Sequence, residues 1–147
     1  MISSRIRVGV RAGLVAAAAT AGAIIGFGIR HNDWLGPFAS LGAEITSRFG
    51  VTDPPRILAS TAGVTAHLSW MVLWGLAFAA LAHRKTTSLS ALFAVVVPIG
   101  AALAARYLVP AAMGAVTFAT MPAAQAALCV ALMSAGFVTG RAFSGAH

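Results

Sequence analysis

The amino-acid sequence predicts an all-α fold: a four-transmembrane-helix bundle with a short amphipathic surface helix in the first loop. Two observations predict it, namely four apolar runs long enough to span a bilayer and a scarcity of charged residues. A helix rises about 1.5 Å per residue, so roughly 20 residues cross the roughly 30 Å hydrocarbon layer. The predicted spans cover about residues 8–30, 57–82, 89–109 and 120–141, within a single integral membrane domain of residues 1–147.

Composition argues against a soluble domain of the usual kind. The chain is 59% hydrophobic and only 9% charged, whereas a soluble domain carries about 25% charged residues. The formal net charge of +7 at pH 7 comes from nine arginines and one lysine against three acids. Because the sequence has no basic stripe and no aromatic stacking platform, we predict no binding to nucleic acid. The basic residues are expected at the edges of the lipid bilayer, beside lipid phosphates.

The first span imitates a secretory signal peptide, because arginines precede an apolar stretch that contains Ala19-Thr20-Ala21. The apolar stretch continues to Ile29, however, and is therefore long enough to cross a membrane. We expect an uncleaved first helix.

The distribution of basic residues predicts that both termini are cytoplasmic. Cytoplasmic flanks of membrane proteins carry an excess of lysine and arginine. With the N-terminus inside, six basic residues fall inside and four outside, and all three acids fall in the first loop on the outer side. The preference for arginine over lysine and the abundance of alanine and glycine are typical of a GC-rich bacterial genome. We therefore predict a multi-pass protein of the bacterial inner membrane.

The first loop, residues 31–56, is the only sizeable polar region of the sequence. Asn32 or Asp33 could cap a helix there and Gly50 could end it. We predict a short amphipathic helix on the outer membrane surface, either as a lid over a central cavity or, more simply, as packed loop structure. Its apolar positions recur at helical spacing: Leu35, Phe38, Leu41, Ile45 and Phe49.

Rows of small residues predict where helices pack closely. Helices in lipid gain little from the hydrophobic effect when they associate, so residues that allow close approach matter most. The sequence leaves open whether such a seam is internal or joins another subunit. The predicted helix-packing residues are Gly22 and Gly26 in the first span and Ala119, Ala123, Ala127 and Ala131 towards the fourth.

His67 is the candidate functional residue. It lies ten residues past Ile57, which places it about 15 Å into the second span and near the bilayer midplane. Ionisable groups at that depth are costly and usually face the protein interior. Trp70, Met71 and Trp74 share or border its helical face, so we group these four residues as a candidate ligand or path site.

Three interpretations of His67 stay open. Neutral His67 could hydrogen-bond a neighbouring helix through a backbone carbonyl, Thr20 or Thr117. It could ligate a tetrapyrrole, with Gly63 leaving room for the ring, a spacing that resembles light-harvesting polypeptides. It could also line a path for protons or a solute. A haem held by two histidines of this chain is not expected, because the other three histidines lie at span ends or in the tail.

The layout resembles the YagU-type group of uncharacterised bacterial inner-membrane proteins. The resemblance rests on Pro54-Pro55-Arg56, on His67 followed by Gly75, and on Leu108-Val109-Pro110 after the third span. It implies four helices and an inner-membrane location, and it implies no activity.

The sequence contains no phosphate-binding loop, no Cys/His cluster and no Ser/His/Asp arrangement, so we predict neither enzymatic activity nor a metal site. The favoured function is an accessory or structural subunit that packs in a homo-oligomer or a larger membrane complex. One alternative is a small oligomeric channel or transporter that uses His67. The other is a pigment- or haem-binding subunit with His67 as the ligand.

Overall fold

The apolar runs of the sequence form long helices in a computed structural model of the chain. The structure describes residues 4–82, 86–110, 117 and 119–142. A five-residue π-helix, Ala104–Leu108, continues the fourth helix. The helices in these residues are α1 (Ser4–Arg30), α2 (Gly36–Ser47), α3 (Arg56–Ala82), α4 (Thr87–Leu103) and α5 (Ala123–Ala142).

Four of the helices are long and apolar enough to cross a membrane. They are α1 and α3 with 27 residues each, α4 with its π-helical extension at 22 residues, and α5 with 20 residues. The predicted all-α class is confirmed, and the four helices fit a multi-pass membrane protein. The predicted spans agree with the observed helices to within about four residues at each end that the structure describes.

Helix α1 packs against both α3 and α5 through glycine and alanine. A Cβ added at Gly13 would lie 2.6 Å from the Cα of Val72, and one at Gly75 would lie 2.6 Å from the backbone nitrogen of Gly13. On the other side of α1, a Cβ at Gly136 would lie 2.6 Å from the Cα of Ala16. Because no real Cβ approaches this closely, the backbones of these helices touch, and only residues with minimal side chains allow it.

Helix α2 packs along the side of α3 rather than across its end. Gly42 faces the Ala59 carbonyl, and Gly63 faces the Phe38 carbonyl, so each helix offers a glycine to the backbone of the other. Phe38 and Leu41 are buried in this contact. A helix therefore forms in the first loop, and its buried side chains cover the first turns of α3.

The ends of α1 and α2 differ from the predicted helix boundaries. Asn32 does not cap α2. It takes a left-handed conformation, φ +57°, and ends α1, while the Asp33 N–H donates to the Gly28 carbonyl at 2.9 Å in the pattern of a Schellman motif. Asp33 does not cap α2 either and forms an ion pair with Arg56. Gly50 was predicted to end this helix. The helix ends three residues earlier, at Ser47, and Gly50 at φ +84° ends the turn that follows.

The predicted helix-packing residues do not hold the helices of this chain together. Around Gly22 and Gly26, no atom of the described residues lies within 4 Å of an added Cβ. Ala123, Ala127 and Ala131 are exposed, and Ala119 is half-buried. The internal seam lies instead on the α1 face that carries Gly13. The alanine row on α5 faces outward. These residues can therefore pack only against another molecule.

Helix α4 is held less closely than the others. A Cβ at Gly100 would meet only the Trp74 ring, at 3.8 Å. Buried Pro98 lies inside the helix and removes one backbone hydrogen bond, and the π-helix Ala104–Leu108 follows two turns later. Irregular turns of this kind disturb the regular side-chain rows that close packing needs. Most of the segment between Pro110 and the start of α5 lies outside the described residues.

Candidate functional site

His67 ties α3 to α1 in the centre of the bundle. Its side chain is 2% exposed. The Nε2 atom lies 3.1 Å from the Thr20 hydroxyl oxygen and 3.3 Å from the Ala17 carbonyl oxygen. Thr20 is fully buried, and its hydroxyl donates to the Ala16 carbonyl at 2.8 Å. The predicted hydrogen bonds to Thr20 and to a backbone carbonyl are therefore both confirmed.

These contacts define which nitrogen of the His67 ring carries the proton. A carbonyl oxygen only accepts, so Nε2 must be protonated to bond the Ala17 carbonyl. The same N–H serves the Thr20 oxygen, since the Thr20 proton is directed at Ala16. In the neutral imidazole, Nδ1 then has a lone pair and no proton. Within the part of the chain that the structure describes, this buried Nδ1 has no hydrogen-bond partner.

The third predicted partner of His67, Thr117, lies elsewhere. Its backbone N–H donates to Oε2 of Glu44 at 3.2 Å, which joins α2 to the segment before α5. Thr117 therefore lies at the end of the bundle that holds the first loop and the segment before α5, which we call the loop end.

The space that a tetrapyrrole would need beside His67 is filled by α2. Gly63 is packed against the Phe38 carbonyl. The Phe38 ring meets the His67 ring edge-on, with centroids 5.6 Å apart. The glycine that was expected to leave room for a macrocycle instead leaves room for a helix. With Nε2 engaged by Thr20, the observed geometry gives the tetrapyrrole interpretation no support.

A cavity of about 200 Å³ lies beside His67, between α1, α3, α4 and α5. We call it the His67 cavity. Thr20, Trp70 and Met71 line it together with His67, and Pro98 forms part of the α4 wall. The structure thus brings three of the four predicted site residues to one cavity.

Trp74, the fourth predicted residue, does not line the His67 cavity. Its ring packs edge-on against Trp70, with centroids 5.7 Å apart. The indole Nε1 is buried without a hydrogen-bond acceptor among the described residues. Trp74 therefore acts as a packing residue between α3 and α4.

Between the His67 cavity and the end of the bundle that holds residue 4, the described helices leave no open space. Phe78 and Phe137 stack with centroids 4.9 Å apart and are 1% and 0% exposed. Between His67 and this pair, the backbones of α1 and α3 meet at Gly13 and Gly75. A path through His67 to the end of the bundle that holds residue 4 would have to separate these backbones, so the geometry does not favour a conduit.

Near the first loop, a second cleft of about 450 Å³ lies between α1, α2 and the start of α5. Asp33, His31 and Gln125 line it, and the Nδ1 of His31 lies 2.9 Å from the Phe27 carbonyl oxygen. Met121 lines both this cleft and the His67 cavity, so it lies between the two spaces.

The cavity walls around α4, its π-helical extension and α5 were not predicted from the sequence. Pro98, Arg106, Met121 and Cys129 all line it. The proline inside an apolar run was the one available signal, because it predicts a break in regular packing. For Cys129, no signal in the sequence distinguishes a wall position from a lipid-facing one.

No protein-family model, curated protein or solved structure matches the chain. Among the described residues, no group of three or more histidine, cysteine or acidic side chains could hold a metal ion.

Proposed function

We propose that this protein is a small, non-enzymatic, multi-pass integral membrane protein that serves as an accessory or structural subunit in a homo-oligomer or a larger membrane complex. The observation that carries the proposal is the use of His67. Among the described residues it is the only ionisable side chain that is buried, and its protonated nitrogen joins two helices. Because the hydrogen bonds of His67 hold α1 to α3, they support a structural role for this side chain rather than a catalytic one.

The outward face of α5 supports the subunit role. Ala123, Ala127 and Ala131 present small side chains away from the bundle. Lipid tails gain nothing from a small residue, whereas a neighbouring helix can approach it closely. We place the contact with a second copy or a larger subunit on this face.

We place the chain in a bacterial inner membrane, as its resemblance to the YagU-type group implies, with both termini cytoplasmic. Four spans bring both ends of the chain to the same side. The first loop then lies outside, with α2 packed beside the outer turns of α3. The basic side chains near the N-terminus favour the cytoplasmic side for that end.

Gentle-detergent purification of the tagged protein, expressed at native level, tests the subunit role. We expect the chain to elute as a homo-oligomer or with a stoichiometric partner, and Ala127→Leu to release it from that assembly. Leu128→Phe is the matched control, because it adds bulk on the same helix where a large exposed side chain already prevents close approach. A wild-type protein that elutes as a lone monomer, or an Ala127→Leu variant with unchanged assembly, would contradict the proposal.

A further inference from the structure

The His67 cavity is elongated and follows the direction of the helices. On α4 and its π-helical extension, the lining extends from Pro98 to Arg106. On α5, the lining residues recur at spacings of three and four and so form one helical face: Ala126, Cys129, Val130 and Met133. At about 1.5 Å per residue, each of these walls is roughly 10 Å long.

In a membrane, this cavity would reach from one surface to the middle of the bilayer. Arg106 lies near the end of the π-helix, which closes at Leu108. Met133 lies well inside α5, which begins at Ala123, and the separation corresponds to about 15 Å of helix. The hydrocarbon layer is roughly 30 Å thick. The cavity therefore has the depth of one lipid leaflet, with its open end at the loop end.

The walls are mainly apolar and are open to the side. The volume of about 200 Å³ exceeds that of an apolar cavity of about 150 Å³ that binds benzene. Leu103 lines the cavity although its side chain is 53% exposed, and Ala126 and Cys129 line it while half-buried. These residues lie within the spans, so the opening faces lipid. An alkyl chain can therefore enter from the bilayer.

Arg106 adds a positive charge at the loop end of the cavity. Its guanidinium extends from the π-helix to Met121, where Nη1 donates to the carbonyl oxygen at 3.4 Å. Because Met121 also lines the cavity, this contact locates the guanidinium at the cavity rather than away from it. Arg106 is exposed, and no carboxylate among the described residues forms an ion pair with it. Its planar fork of N–H donors suits a phosphate group.

We propose that the His67 cavity binds one phospholipid, with an acyl chain between α4 and α5 and the phosphate on Arg106. The charge lies at the membrane surface and the apolar walls extend to the midplane, in the order in which a phospholipid presents its phosphate and its chain. The second chain stays in the bilayer. This inference rests on the proposed membrane location, but it needs only the folded chain and no assembly through the outward face of α5.

Cys129 is the only cysteine of the chain and lines the cavity, so its labelling reports occupancy. The experiment measures the rate at which a membrane-permeant maleimide labels the purified protein in a maltoside detergent, which has no phosphate. The probes are dioctanoyl phosphatidylglycerol and dioctanoylglycerol, which share their acyl chains and differ in the phosphate headgroup. We expect the phospholipid to protect Cys129 at an about tenfold lower fraction in the micelle, as hydrogen bonds to a charged group predict.

Two arginine substitutions test the phosphate contact. Arg106→Gln removes the charge and keeps a polar side chain, so the phospholipid should then protect Cys129 no better than dioctanoylglycerol does. Arg30→Gln is the matched control. It removes an arginine at the end of α1 that does not line the cavity, and the tenfold preference should remain.

Two leucine substitutions on α5 test the position of the acyl chain. Ala126→Leu fills the cavity, since Ala126 lines it, and should abolish protection by either probe. Ala127→Leu makes the same change one residue later on the exposed face and should leave protection unchanged. None of the four substitutions disturbs the contact of His67 with α1.

Three results would overturn the lipid site: equal protection by the two probes in the wild type, a preference that survives in Arg106→Gln, or protection that survives in Ala126→Leu. Size-exclusion elution of the same samples reports the subunit role separately. Retained assembly without protection would contradict only the lipid site, and a protected lone monomer would contradict only the subunit role. Recovery of the wild type in the soluble fraction of lysed cells would contradict both.

Discussion

The two sides of this bundle are built differently. On one side, α1 meets α3 and α5 backbone to backbone, at Gly13, Gly75 and Gly136. On the other side, α4 contains Pro98, meets only the Trp74 ring at Gly100, and borders the His67 cavity. We call these the close-packed side and the open side. The difference shows that helix backbones approach closely where the residues between them have minimal side chains. A helix with irregular turns leaves space beside it.

This comparison also explains the position of His67. Its Nε2 points to the close-packed side, where Thr20 and the Ala17 carbonyl hold it. The ring is therefore fixed while it borders a cavity.

The largest effect is expected on the close-packed side. Gly75→Val should lower the free energy of unfolding by about 3 kcal/mol or prevent folding, because the added atoms meet the backbone of α1, which cannot move aside. Gly22→Val is the control, and on an open face it should change the stability by less than about 0.5 kcal/mol. Thermal or denaturant unfolding in one detergent checks both. Equal losses would show that Gly75 is not in contact with α1.

A moderate effect is expected where the two sides meet. Thr20→Val keeps the shape of the side chain but removes the hydroxyl that accepts from His67, so it should cost about 1–2 kcal/mol. Thr20→Ser keeps the hydroxyl and loses one methyl, which costs about 0.8 kcal/mol. In a cycle with His67→Phe, the Thr20→Val cost should shrink. Strictly additive costs would argue against the hydrogen bond.

A small gain is expected on the open side. Gly100→Ala should raise the free energy of unfolding by about 0.5–1 kcal/mol, because the new methyl meets only the Trp74 ring at an ordinary distance and the helix loses a glycine. The same change at Gly13 should be strongly destabilising. A destabilised Gly100→Ala variant would mean that α4 packs more closely than we describe.

The smallest effect is expected at the loop end. Asp33→Asn removes the charge that pairs with Arg56, and both side chains are exposed. Exposed ion pairs contribute little, so the stability should fall by less than about 0.5 kcal/mol and the difference should vanish in high salt. A loss of more than 1.5 kcal/mol would show that this pair anchors the first loop.

The sequence predicts the helices well, because lipid and protein interior both require long apolar segments. It also predicts the partner of His67, since a histidine at that depth needs one and Thr20 is among the few polar groups at a matching level. Capping was predicted less well. Asn32 lies between two helices in the sequence, so it could end the first or cap the second. Only the observed φ shows that it ends α1.

The sequence does not predict which row of small residues faces inward. In a soluble protein the inward face of a helix is apolar and the outward face polar, but here both faces are apolar. Gly13 and Gly22 therefore look alike in the sequence, while one touches α3 and the other touches nothing among the described residues. The His67 cavity could not be predicted either, because a cavity arises from how whole helices fit together.

The most direct test of the difference between the two sides compares one substitution placed on each. Ala16 is fully buried on the close-packed side, and Ala126 lines the cavity. The measurement is the free energy of unfolding of Ala16→Leu and Ala126→Leu in the same detergent. We predict a loss of about 3 kcal/mol for Ala16→Leu and no loss for Ala126→Leu, whose side chain enters existing space. Equal destabilisation by the two substitutions would contradict the account.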